Sequence, residues 1–575
     1  MKKIKLNYLT ILALTAVILS GCAGLTKMRD DSNNVSYKVN PNPLVEKAGE
    51  VSVSGDVTFP EKYFNKKAVV VATPVLTYEG GKTEYPSTTL QGEKVQANNK
   101  VIPNAGGSYS YTGTIPYNPQ MMKSELHINY SAIIKEGDEP VEYGSVKIAD
   151  GVIATATLVN TAPKSTIIKD NFQRVIPESY TSDIHYVINQ ATVRNTETKA
   201  TDVADMQQKI AAAKADSNKV IKGAQISAYA SPDGALELNE KLSVKRESSA
   251  ETFLKKAFKD NKITEAEAAD FLKTLTTPED WDGFKKLMEE SNIQDKELIL
   301  RVLSMYSDAV VREKEIKNIS AAYKEIAEEI LPQLRRSVMT VNVDVVGKTD
   351  EELLQLAIND PKQLNVEEIL YAATLTSDLN QKAAIYKAAT VSFPQCIRAF
   401  NNLGKVSLDL GKVADAKAAL NSAKAISDNA VVKANLGAVA LAEGDLKTAE
   451  DLLAANMSAG DAVSYNLGII KIKQGDYAAA VNYFGNTPSF NAALAQMLNG
   501  SNDKALATLN QLGDVKDAWV YYLKAVASAR GGVLEGIVNN LRTAISLDSS
   551  VKAYALKDAE FLKYVEEASV KALLQ

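Results

Sequence analysis

The sequence predicts a multidomain chain: a β-sandwich-like N-terminal domain, an α+β domain interrupted by helices, and an all-α solenoid of helical repeats. Three observations carry this. Leu126, Ile128, Tyr130 and Ala132 alternate with His127, Asn129 and Ser131, the period of a half-buried strand. A strand pattern at Ile184-His185-Tyr186-Val187-Ile188 is followed by a helical stripe of Val203, Met206, Ile210 and Ala213, then by a strand over Val220 to Tyr229. Leu403-Gly404, Gly411, Ala416 and Leu420 recur 33 residues later as Leu436-Gly437, Gly444, Ala449 and Leu453. They recur again after 31 as Leu467-Gly468, Gly475, Ala480 and Phe484.

The length of 575 residues suits several domains of ordinary size. A net charge of -5 offers no basic surface for nucleic acid. Only two histidines (His127, His185) and two cysteines (Cys22, Cys396) occur, too few for a zincin, a multi-cysteine metal site or a disulfide framework. No Gly-rich phosphate loop or nucleophile elbow appears. Neither an enzyme nor a cofactor is expected. Cys396 reads as a small packing residue.

Residues 1–21 read as a leader. Lys2, Lys3 and Lys5 precede an apolar run too short for a comfortable membrane span, which ends in Leu19-Ser20-Gly21-Cys22. That tetrapeptide resembles the lipobox of bacterial lipoproteins, which implies lipidation of Cys22 and anchoring by several acyl chains. Residues 22–45, with Asn40-Pro41-Asn42-Pro43, read as a linker. Over 46–165, β-branched and aromatic runs such as Val69-Val70-Val71-Ala72 and Ser108-Tyr109-Ser110-Tyr111 alternate with turn signals, the pattern of the sandwich-like domain. Its tyrosines are expected to pack on the sheet, the other reading being a glycan- or protein-binding surface.

Ile226 to Gly234, with the turn Ala230-Ser231-Pro232-Asp233-Gly234, leads into a helix carrying Asn239, Leu242, Ser243 and Arg246 on one face. These residues resemble the OmpA-like domain, which implies a β-α-β-α-β fold over 180–348 and non-covalent peptidoglycan binding. In that family an aspartate of the turn holds the ammonium of the peptide's diamino acid, and the helix arginine grips its carboxylate. Arg246 stands at the arginine position. A gap-free count places Ser231 where the aspartate belongs, with Asp233 two residues later. Ser231, Asp233, Asn239 and Arg246 are therefore the candidate peptidoglycan-binding residues. The last strand is expected at Ser337 to Val346, so a helical insertion is expected over 257–332.

The recurring small and large residues of 350–575 resemble tetratricopeptide (TPR) repeats, with Ala553 to Gln575 as an end cap. The resemblance implies an inner surface for peptides or envelope proteins. Asn401, Asn402, Lys405, Lys433, Asn435 and Asn466 are the candidates for holding them. Taken together, the modules are similar to outer-membrane lipoproteins of Bacteroidetes that carry an OmpA-like domain and TPRs. That likeness implies a lipid anchor in the outer membrane and a scaffold that contacts peptidoglycan and envelope proteins. Surface-export signals of that phylum are acidic and lie close behind the lipidated cysteine; here Asp30-Asp31 stand eight and nine residues after Cys22, with Lys27 and Arg29 before them, which favours the periplasmic over the surface face. The alternative is a surface-exposed or assembly-factor scaffold without peptidoglycan binding.

Overall fold

The computed structural model describes residue 28, residues 32–133 and residues 141–575; the leader and Cys22 lie outside the described residues. The chain divides into two compact units, one of residues 1–169 and 376–575, the other of residues 170–375.

The first unit opens with two β-sheets. One holds β1 (Ser36–Asn40), β2 (Leu44–Lys47), β3 (Glu50–Phe59), β8 (Gly107–Pro116) and the short β11 (Val152–Ile153). The other holds β4 (Val69–Tyr78), β5 (Gly81–Glu84), β6 (Thr88–Gly92), β7 (Lys100–Ile102), β9 (Ser124–Ile133) and β10 (Val141–Asp150). Strand alternation explains the shared core: Val51, Val53 and Val57 of β3 meet Leu126, Ile128, Tyr130 and Ala132 of β9 across it. Tyr109 and Tyr111 point into this core, beside Phe59, so they pack rather than form an outer surface. The strands begin at Ser36, inside the segment expected to be a linker. The short runs gain their partners from outside the segment, Ser36–Asn40 from β3 and Leu44–Lys47 from β3 and β11, which a local reading does not supply.

The second unit is built on four strands in the order β12 (Val175–His185), β15 (Arg336–Val346), β13 (Lys219–Tyr229), β14 (Leu272–Thr277). β13 and β14 run parallel, while β15 is antiparallel to both β12 and β13. Two helices cover the sheet, α1 (Thr201–Ala215) and α2 (Leu236–Asp260). Val203, Met206, Ile210 and Ala213 of α1 and Leu254 and Phe258 of α2 pack with Ile226, Met339 and Val341.

The expectation of a helical insertion over 257–332 needs correction. Leu272–Thr277 forms β14, hydrogen-bonded to β13 from Ala224 to Tyr229. Its own side chains are mostly half-exposed or exposed, so its sequence lacks the alternation of a core strand. The interruption proper holds α3 (Trp281–Glu290), α4 (Lys296–Met305), α5 (Ala309–Asn318), α6 (Ser320–Glu325) and α7 (Leu331–Leu334). Phe284, Met288, Ile299, Leu303, Ile316 and Leu334 give these helices a core of their own. After β15, α8 (Asp350–Asn359) and α9 (Val366–Ala372) close the unit, so residues 350–375 belong here rather than with the repeats.

Helix pairs fill the rest of the first unit: α10 (Leu379–Ser392), α11 (Ile397–Asp409), α12 (Val413–Ile426), α13 (Ala430–Glu443), α14 (Leu446–Ala454), α15 (Asp461–Lys473), α16 (Tyr477–Phe484), α17 (Phe490–Leu498), α18 (Asn502–Gln511), α19 (Ala518–Arg530), α20 (Leu534–Leu547), α21 (Ser550–Ala555) and α22 (Ala568–Leu574). The recurring glycines explain the pairing. A Cβ on Gly404 would fall 2.5 Å from Leu420 Cγ, on Gly437 2.8 Å from Leu453 Cγ, and on Gly468 2.6 Å from the Phe484 ring. Each pair is thus as close as a backbone hydrogen allows, and the large residue of the second helix fills the notch. Gly444 ends α13 at a φ of 83°, the left-handed conformation that turns the chain into α14.

Candidate functional site

The turn after β13 gathers three of the four residues expected to bind peptidoglycan. Asn239, buried in the first turns of α2, donates from Nδ2 to the carbonyls of Ser231 and Gly234, both at 3.1 Å. The Ser231 hydroxyl donates to the Asp233 carboxylate. Arg335, at the threshold of β15, closes the group: Nη2 lies 3.1 Å from Asp233 Oδ2, and Nε donates to Ser231 Oγ at 3.2 Å. Asp233 is therefore matched by an internal guanidinium.

Arg246 is 1% exposed. Its Nε donates to the Gln190 carbonyl at 3.1 Å and its Nη1 to the Tyr229 carbonyl at 2.9 Å. The guanidinium lies over the Tyr186 ring, 5.2 Å from its centroid. Burial pulls its pKa down to about 10, and the neighbouring Arg335 charge acts in the same direction. Burial also pushes the Tyr186 hydroxyl up to about 12; that oxygen sits 3.1 Å from both the Arg246 carbonyl and Ser337 Oγ. Arg336, the next residue, pairs with Asp280 at 3.0 Å and covers the Tyr229 ring. Ser231, Asp233, Asn239 and Arg246 thus hold the turn and its helix together through groups of this chain. The spacing from Asn239 to Arg246 shows one helix face, but the role of Arg335 depends on a contact spanning 102 residues.

A second constellation lies in the first unit. In α11, α13 and α15 an asparagine stands two residues before the notch glycine: Asn402 and Gly404, Asn435 and Gly437, Asn466 and Gly468. Two residues turn a helix by about 200°, so the asparagine faces away from the partner helix. There it meets residues 159–169, a strap without regular secondary structure.

The Ile168 N–H donates to Asn402 Oδ1 at 2.8 Å, and Asn402 Nδ2 donates to the Ile168 carbonyl at 2.9 Å. Asn435 makes the same reciprocal pair with Thr166 at 2.9 and 2.8 Å. Asn466 does so with Lys164 at 2.8 and 2.7 Å. Asn491, in α17, does so with Asn160 at 2.9 and 2.7 Å. Asn401 adds a bond to the Thr166 carbonyl at 3.1 Å and links its neighbours, accepting from Asn435 at 2.9 Å and donating to Asn402 at 3.0 Å. The strap advances two residues per repeat between Asn402 and Asn466, the period of an extended chain whose alternate amides face one side. A carboxamide suits this task because it offers one acceptor and one donor side by side.

Of the residues expected to hold a peptide, Asn401, Asn402, Asn435 and Asn466 belong to this ladder. Lys405 and Lys433 do not: they form ion pairs with Asp409 and Asp428. Asn491 escapes a search by repeat because α17 carries Ala492-Ala493 where the other repeats have Leu-Gly.

At its N-terminal end the strap follows a turn anchored at Thr155, whose hydroxyl donates to Glu560 Oε1 at 2.5 Å. Arg530 Nε contacts both Glu560 oxygens at 3.0 Å. Beside them, Asp558 accepts from the Tyr522 hydroxyl and, at 3.0 Å, from the Glu560 N–H. Burial pushes the Asp558 carboxyl up to about 6.

No family model matches the chain, and no curated protein matches it. Among solved structures it is similar to the APC/C hetero-tetramer Cut9-Hcn1, with 14% identity over 50% of this chain and 57% of that one (TM-score 0.32). The chain thus spans little more than half the length of that structure. A tetratricopeptide repeat protein from Parabacteroides merdae ATCC 43184 has 15% identity over 39% of this chain and 89% of its own (TM-score 0.28). YrrB, a TPR protein with an unusual peptide-binding site, has 20% identity over 36% of this chain and 100% of its own (TM-score 0.21). The repeat character of the array stands on its own helix pairs and their Gly404, Gly437 and Gly468 notches.

Proposed function

We propose that this chain is a non-enzymatic scaffold lipoprotein of the bacterial cell envelope that works through protein contacts. A lipid on Cys22 would hold it to the outer membrane on the periplasmic face, and its TPR-like array would receive envelope proteins. The observation that carries the reading is the asparagine ladder, a face of the array whose polar groups engage polypeptide main chain at Asn160, Lys164, Thr166 and Ile168. Crosslinking in intact cells followed by purification from the envelope fraction tests it. The reading requires defined envelope proteins on the wild-type chain and loss of membrane fractionation in Cys22→Ala. Recovery of the chain alone, or a Cys22→Ala protein that still fractionates with the membrane, would overturn it. Protease shaving of intact cells tests the orientation: cleavage without lysis would place the protein on the surface.

A second reading adds wall contact through an OmpA-like domain. It is favoured by the convergence of Ser231, Asp233 and Asn239 on one turn at the start of the Arg246 helix. In this reading Asp233 exchanges Arg335 for a ligand ammonium, and Arg246 exchanges a backbone carbonyl for a ligand carboxylate. Cosedimentation with purified sacculi tests it: wild type should pellet and Arg246→Ala should remain in solution. A wild-type protein that stays in solution would leave a scaffold without wall contact, and an Arg246→Ala protein that pellets equally well would overturn the proposed site.

A further inference from the structure

We propose that the inner groove of the array is a site for extended polypeptide read through its main chain, and that residues 160–168 are its intramolecular occupant. An external segment then binds only by displacing this strap. The proposal deepens the scaffold reading, on which it rests, by naming what the array takes and what blocks it.

Two features point to a reader of main chain rather than to a join fitted to one sequence. The recognising groups belong to the repeat: Asn402, Asn435 and Asn466 recur at one position beside the notch glycines, and each binds the strap with the same reciprocal pair. The strap, by contrast, contributes little besides its backbone. Asn160, Thr161, Ala162, Lys164, Ile167 and Lys169 are exposed. Lys164 lies over the Tyr465 ring at 3.9 Å and Ile168 touches the array core, the strap's main side-chain contributions between Asn160 and Ile168. Any extended segment with free N–H groups at alternate positions offers the ladder the same partners. The resident segment prevails because it is tethered, with an effective concentration on the order of millimolar for short connections. Segments with few buried side chains belong to the low-stability part of a fold, so displacement needs no unfolding of the helix pairs.

The test uses the full chain and a fluorescein-labelled synthetic peptide of residues 158–170. Thr166→Pro with Ile168→Pro removes the two strap N–H groups that Asn435 and Asn402 read. Fluorescence anisotropy should show at least tenfold tighter peptide binding by this double variant than by wild type. Adding Asn435→Ala and Asn466→Ala should abolish the gain. A peptide of scrambled sequence should bind the double variant within a few-fold of the native one, whereas a peptide N-methylated at the positions of Thr166 and Ile168 should not bind.

A double variant with native helical circular dichroism that binds no better than wild type would overturn the proposal, as would equal binding after loss of the asparagines. If the proline variant fails to fold, the same titration on a chain cleaved at a protease site inserted between Thr161 and Ala162 decides with the same outcomes. Envelope proteins crosslinked to the wild-type chain bear on the scaffold reading and leave this titration unaffected, so the two can fail separately.

Discussion

Asn435 and Thr166 exchange two hydrogen bonds, N–H to Oδ1 at 2.9 Å and Nδ2 to the carbonyl at 2.8 Å, although 269 residues separate them. The same geometry on Asn402, Asn466 and Asn491 makes the helical array and the strap one structure.

Replacing Asn435 by alanine removes these bonds and the link to Asn401 Oδ1. At about 0.5–1.5 kcal/mol per bond, with buried partners left unpaired, we expect a loss of about 2–3 kcal/mol in the transition that unfolds the array. Thr166→Ala keeps the backbone groups and should stay within about 0.5 kcal/mol. Urea denaturation followed by far-UV circular dichroism measures both, and equal losses would mean that the Thr166 side chain carries the contact.

Gly468→Ala tests the helix notch. Its Cβ would sit 2.6 Å from the Phe484 ring, with two further ring carbons at 2.7 and 2.8 Å. Overpacking costs about 1–3 kcal/mol, partly offset by alanine's helix preference of about 1 kcal/mol over glycine. We expect net destabilisation, larger for Gly468→Val, and recovery in Gly468→Ala with Phe484→Leu. A stabilised single variant would contradict the close approach.

Asp558 should shape the pH dependence of stability. Burial raises its carboxyl from the usual 3.8 to about 6, against the Tyr522 and Glu560 N–H bonds and the Arg530 charge, which lower it; the Glu560 charge adds to the rise. The folded state therefore holds this proton more tightly than the unfolded one. Its cost to stability is absent below about pH 4, grows as pH rises to 6, and is constant above, on the order of 2–3 kcal/mol. Asp558→Asn removes that titration. Denaturation at pH 4 to 8 should show the variant gaining on wild type up to pH 6 and holding level beyond it. A difference independent of pH would refute the assignment.

Arg335 and Asp233 should couple. Both side chains are largely buried and lie 3.1 Å apart, so removing one leaves the other without its charge partner. A double-mutant cycle of Asp233→Asn and Arg335→Gln, read by urea denaturation of the second unit, should give a coupling energy of at least about 1 kcal/mol. Additive losses would mean that the pair does not hold the turn.

The repeats were legible because their signal is local and periodic. Gly404 with Leu420, Gly437 with Leu453, and Gly468 with Phe484 fall within one helix pair and recur. The alternation of Leu126, Ile128, Tyr130 and Ala132 likewise marks β9 without knowledge of its neighbours. What stayed hidden depends on distant partners. Asn402, Asn435 and Asn466 stood out as inner-surface residues, but nothing in their surroundings names residues 159–169, which read as the tail of the β-domain up to 165 and as a connection beyond it. β14 stayed hidden because Leu272–Thr277 lies at the sheet edge and buries no continuous face. Arg335 sits beside a visible strand, yet its contact with Asp233 exists only after the interruption has folded back.

Residue-resolved hydrogen exchange across the strap tests the ladder most directly. The amides of Lys164, Thr166 and Ile168 should exchange far more slowly than unstructured chain, while those of Ser165 and Ile167, for which the ladder offers no acceptor, exchange fast. Asn435→Ala should release Thr166 more than Lys164. Uniformly fast exchange from 160 to 168 in the wild-type protein would contradict the ladder, and with it the claim that the array grips polypeptide main chain.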